Sequence, residues 1–178
     1  AIADDDELAT RVAAVPGVTR AAPLVRGQGM ASANGRAAGV EVIGTRLADI
    51  EAVPLVAAPE SAAGSLADLE QGIAIGTGVA RELGVAVGDF VTLISPEGMD
   101  APFGTQPRIS DCKVVDGGGV GRYDIDRTRV DMPFAEAQAY CNRDGAADEL
   151  EVRVTDPGRI ERILPDLAAA GGPRAVLW

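Results

Sequence analysis

Apolar residues recur along this chain in two rhythms, one of period near 3.6 at its ends and one of period two through most of its middle. Leu8, Val12 and Val15 repeat at helical spacing behind an acidic start, and Pro16-Gly17 follows. The spacing predicts an amphipathic helix over residues 5 to 14. "VTRAAPLVRGQGMAS" and "RAAGVEVIGTR" then read as strands joined across Asn34-Gly35, a pair that tolerates the positive φ of a tight hairpin turn. Near the other end "LEVRVTD" predicts a strand, and Pro157 opens a helix over 157 to 169 that Gly171-Gly172 closes. "RAVLW" supplies a last strand. Helix-strand-strand at one end and strand-helix-strand at the other read as two halves of one α+β layer.

Between them, over residues 49 to 146, strands and helices shorten. "GIAIG", a helix over 78 to 83, "DFVTLIS", "ISDCKVV", "DRTRVDM" and a helix over 133 to 141 succeed one another. The Pro-, Ala- and Ser-rich "VPLVAAPESAAGS" (53 to 65) marks the first crossing. The expected organisation is a subdomain formed by 1–48 and 147–178, with 49–146 inserted. Within the insert, "SPEGMDAPFGTQPRI" (95 to 109) separates two strand-like runs by fifteen residues, where paired strands are usually joined by two to five. With about seven residues on each side, such a segment could reach roughly 20 Å if strand-like. Its alternative reading is a mobile insertion.

Composition narrows the chemistry. The chain has 178 residues, 47% of them apolar but only 3% aromatic, so the core is expected to be built from small aliphatic side chains. A net charge of -11 repels a phosphate backbone at long range and argues against nucleic-acid binding. Histidine is absent, which removes Ser-His and Cys-His nucleophile pairs and most zinc sites. Lys113 is the single lysine and follows no glycine-rich turn, so no phosphate-cradling GxxxxGK loop is present.

"GIAIGTGVARELG" starts like a dinucleotide fingerprint, yet Arg81 stands where the third glycine belongs. The plainer reading has Thr77 capping a short helix and Gly84 ending it in the left-handed conformation. "DGGGVGRYDIDRTRVD" (116 to 131) lacks the glycine and bidentate glutamate of a calcium loop in any one register. No catalytic, metal or cofactor site is therefore expected. Cys112 and Cys141 could close a disulfide worth roughly 3 to 4 kcal/mol, or remain two buried thiols. No apolar run is long enough to span a bilayer. An Ala1 start and an apolar "AVLW" end fit a segment cut from something longer.

Several stretches, "AVPGVTRAAPLVRGQGMAS", "GVEVIGTR", "GIAIGTGVARELGVAVGDFVTLISPEG", "PFGTQPRI" and "VDMPFAEAQAYCN", resemble in order and spacing the periplasmic domain of the LolC/LolE-type lipoprotein-releasing permeases, among the wider MacB-type ABC transporter permeases. The combination of "RELGVAVGDFVTLISPEG" with "PFGTQPR" is the most specific part. The resemblance implies a periplasmic domain of a bacterial inner-membrane permease with a MacB-type periplasmic core. Both chain ends would form a Porter-like subdomain and the middle an inserted, β-rich Sabre-like one. It further implies a lipoprotein substrate, a LolA-type periplasmic carrier, and a LolD-type ATPase and second permease copy reached through membrane regions outside this chain. The carrier would be bound by a projecting hook, here 95–109, carrying Pro96, Met99, Pro102, Phe103, Gly104 and Pro107, with Arg108 as the basic residue beside it. Prolines lose little entropy on ordering, and Met99 and Phe103 would be its apolar anchors. Arg122, Ile125, Arg129 and Asp131 depart from the apolar or aromatic residues typical of the family. The rival reading is a MacB-like efflux or mechanotransmission domain contacting a periplasmic adaptor.

Overall fold

The computed structural model describes residues 5–46, 71–116, 128–143 and 145–171. The connector at 53 to 65, the glycine-rich run at 117 to 119 and the terminal "RAVLW" lie outside them, as do Arg122 and Ile125. The fold is α+β, the class the sequence predicts. The chain divides into two compact units, Ala1–Leu24 with Gly145–Trp178, and Val25–Asp144.

In the unit of the two ends, helix α1 (Asp5–Ala13) packs against strand β7 (Glu149–Val154) and helix α4 (Ile160–Gly171). The first part of strand β1 (Val18–Ala33) runs antiparallel to β7, from Val18 opposite Val154 to Leu24 opposite Glu149. Gly17 takes φ +90° at the turn after α1, and its carbonyl accepts from the Thr155 amide at 2.9 Å. The helix expected from Pro157 begins instead as a 3-10 turn, Pro157–Arg159, in which Asp156 accepts from the Gly158 amide at 3.1 Å. The α-helix starts at Ile160 and runs through Gly171 despite Pro165.

In the second unit, strands β2 (Arg36–Thr45), β6 (Arg129–Pro133), β3 (Ile73–Ile75), β5 (Gly104–Asp116), β4 (Phe90–Ala101) and the later part of β1 are neighbours in that order. β1 also pairs with β2, so the ladder returns on itself and leaves few open edges. The Asn34-Gly35 turn has φ +53° and +70°, the paired positive values a type I′ hairpin needs. Asn34 also ties this turn to a helix. Its side-chain amide donates to the Leu83 and Gly84 carbonyls at 3.0 and 3.2 Å, capping the end of helix α2 (Thr77–Leu83). Gly84 is left-handed, as the sequence suggests. The N-cap is Gly76, with no side-chain hydrogen bond, so Thr77 lies inside the helix and does not cap it.

Val25, Val42, Ile73, Ile75, Leu83, Leu93, Val114 and Val130 are buried in one aliphatic cluster. Tyr140, from helix α3 (Phe134–Tyr140), is its one buried aromatic member among the described residues. Glycines let α3 approach closely. A Cβ on Gly44 would fall 2.2 Å from that of Ala137, and one on Gly27 2.5 Å from Cys141 Sγ. The "RGQG" run is thus a packing device, with backbone where side chains would collide.

Candidate docking site

Residues 95 to 109 do not interrupt the hairpin; they extend it. Register runs from Phe90 opposite Lys113 to Ser95 opposite Arg108, then resumes at Met99 opposite Gln106 and closes at Ala101 opposite Gly104. Between Ser95 and Met99, β4 has two more residues than the facing stretch of β5. The irregularity falls at Pro96 to Gly98, with Pro107 facing it. Proline lacks the amide that a ladder needs, and bulges are where strands accommodate it. The long loop read from the prolines is therefore a bulged strand pair with a two-residue tip, Pro102-Phe103. It reaches roughly 15 Å past the Ser95–Arg108 pair at strand rise.

At the tip Phe103 is 100% exposed, and Pro102 and Gly104 are exposed beside it. Gly104 has φ +118° with nothing near a notional Cβ, a conformation that disfavours other residues. Pro96 and Pro107 are exposed at the bulge, and Arg108 is half-buried. Met99 is placed by its backbone pairing with Gln106; its side chain lies outside the described set.

Register also shows residues that pattern reading missed. Met30 faces Ile94, and Ile94 faces Ile109. Residues directly opposite share a sheet face, so the three form one row across β1, β4 and β5 at the root of the arm. Met30 is 48% and Ile109 62% exposed. On the same face Thr92 donates to Asp111 at 2.7 Å, and Phe90 is exposed opposite Lys113. The sequence signal was period-two alternation: Val91 and Leu93 turn inward, so Phe90, Thr92 and Ile94 turn out.

Cys112 and Cys141 do not come together as a disulfide; the Cys112 thiol is free. Cys112 lies opposite Val91, whose β1 neighbour by the same register is Ala33. Cys141 follows α3 and sits over Gly27 of β1. Desolvation, followed by the nearby Glu136 and Asp111 carboxylates, pushes the Cys112 thiol up to about 11. Arg129 and Asp131 form an ion pair at 2.6 Å. Among the described residues no helix is long and apolar enough to cross a membrane.

Over 144 residues the chain is 31% identical to the lipoprotein-releasing system transmembrane protein LolC of Neisseria meningitidis serogroup B, a match covering 79% of this chain. The likeness is to a permease of the LolC/LolE type. The chain spans about a third of that relative, 34% of its length. No family model matches the chain. Among solved structures, the fold is similar to the extracellular domain of the noncanonic ABC-type transporter YknZ from Gram-positive bacteria: TM-score 0.54, 15% identity, 93% of this chain and 84% of that one. It is also similar to a domain of a putative permease protein from Porphyromonas gingivalis, with TM-score 0.50 and 12% identity over 92% of this chain and 69% of that one.

Proposed function

We propose that this chain is the periplasmic domain of an inner-membrane permease that releases lipoproteins, and that its β4–β5 arm docks a LolA-type carrier that receives them. One observation carries the reading: a phenylalanine fully exposed on a two-residue tip at the end of a paired arm. A large apolar side chain in water contributes nothing to folding stability, and aromatic anchors on pre-ordered segments are what protein interfaces use as hot spots. The strand pairing and the prolines limit the ordering that binding would otherwise require. The outward row of Met30, Ile94 and Ile109 lengthens the apolar surface at the arm's root. In this reading a LolD-type ATPase and a second permease copy meet regions outside this chain, which itself performs no catalysis.

Calorimetric titration of the chain with a LolA-type carrier tests the proposal. Binding by the parent and at least about 30-fold weaker binding by Phe103→Asp are expected, the scale of a hot-spot loss. Equal affinity of parent and variant would remove the arm from the interface. Failure of the parent to bind any such carrier, with capture of a periplasmic adaptor instead, would favour the efflux or mechanotransmission role.

A further inference from the structure

On the inner face of the same strands, level with the arm's root, two buried polar groups lack a hydrogen-bond partner. Tyr140 is 3% exposed and its hydroxyl has no hydrogen-bond partner. The buried Nε of Arg108 has none either. Register brings these groups into one row. Ser95, buried, faces Arg108, and continuing the Met30–Ile94 and Ala31–Leu93 register by one residue sets Gly29 opposite Ser95. A Cβ on Gly29 would fall 2.3 Å from Tyr140 Oη, so the phenol occupies the space of the missing side chain. The row therefore reads phenol, Ser95, guanidinium across three adjacent strands, about 10 Å wide at ordinary strand spacing.

Buried polar groups in folded proteins are nearly always satisfied, because one left unpaired keeps the full cost of its lost hydration. The Arg108 Nε can only donate, and the Tyr140 hydroxyl can donate or accept. The first belongs to a permanent cation whose fork geometry suits carboxylate and phosphate. What the row lacks is an acceptor bearing negative charge. We propose that Tyr140, Ser95 and Arg108 form a binding site for a small oxyanion, a carboxylate or a phosphate group. The site lies on the face opposite the Met30–Ile94–Ile109 row and does not depend on the carrier-docking role. A free anion and the phosphate of an anionic lipid headgroup present the same chemistry, and the experiment separates them.

Thermal unfolding and calorimetry of the 178-residue chain with inorganic phosphate and with acetate, against sodium chloride at matched ionic strength, test the site. Flotation with phosphatidylglycerol or phosphatidylcholine vesicles tests the lipid form. Tyr140→Phe keeps the ring while deleting the orphan hydroxyl, so it is expected to fold and, without anion, to be at least as stable as the parent. Phosphate or acetate is expected to raise the parent's Tm beyond the chloride control, and Tyr140→Phe and Arg108→Gln each to weaken binding about tenfold. Flotation with phosphatidylglycerol alone, lost in both variants, would identify a headgroup as the source. Equal Tm shifts in parent and variants would mark a general salt effect and overturn the proposal. So would the absence of any anion or vesicle response, or an ordered water bridging the row in crystals grown with phosphate.

Discussion

The β4–β5 hairpin has two halves built on the same strands, and they differ in what lies beside them. From Phe90–Lys113 to Ser95–Arg108, β4 is flanked by β5 on one side and β1 on the other in its middle stretch, and its inward residues Val91 and Leu93 are buried. Beyond the bulge at Pro96 to Gly98, the strands pair with each other and Phe103 is bare. In the near half, apolar side chains stabilise the fold; in the far half, the same chemistry adds nothing to it. Free energy from burying Phe103 is available only to another molecule.

Substitutions can break this contrast. The largest effect is expected from Leu93→Ala, which empties a fully buried site and should cost about 2–5 kcal/mol in denaturant unfolding. A loss below about 1 kcal/mol would mean that the near half is not the core strip its burial indicates. Gly44→Ala follows: the added methyl meets Ala137 at 2.2 Å across the α3–β2 packing. Overpacking of this kind costs about 1–3 kcal/mol, read by the same unfolding curves.

A smaller effect is expected at Cys112, whose thiol titrates near 11 in the fold against an ordinary value of 9.0, chiefly through desolvation. Its folded-state pKa is raised, so its contribution to stability is complete below pH 9 and is lost as pH rises through about 11. Cys112→Ala should therefore show a shallower alkaline fall in Tm between about pH 8 and 11 than the parent. Parallel curves would refute the shift. The smallest change in stability belongs to Phe103→Asp, within about 0.5 kcal/mol of the parent, although it is the variant expected to lose the carrier. A large drop in stability there would erase the distinction between the two halves.

Local rules made much of this legible. Asn34-Gly35 announced its hairpin because few other residues accept two consecutive positive φ values, and Gly84 announced the end of α2 for the same reason. The resemblance to these permeases was readable from "RELGVAVGDFVTLISPEG" and "PFGTQPR". Three prolines and a bare phenylalanine marked 95 to 109 as unusual, but they suggested a loop because proline weakens a ladder, whereas a bulge absorbed Pro96. Thr77 looked like a cap by residue type; the cap lies one position earlier, at Gly76, and Thr77 is the first helical residue. Cys112 and Cys141 looked pairable because distance in sequence says nothing about which strand rows the two thiols occupy.

By itself the sequence determined most of the described strands and helices, the aliphatic core and the resemblance to these permeases, since each depends on periodicity, on glycine and proline backbone limits, or on a run of residues read in order. Only the tertiary structure decided which outward and inward groups share a row: Met30 with Ile94 and Ile109 outside, Tyr140 with Ser95 and Arg108 inside. The reason is physical. Rows across a sheet join residues dozens of positions apart, and their register is fixed by the packing of every strand between them, which no local pattern encodes.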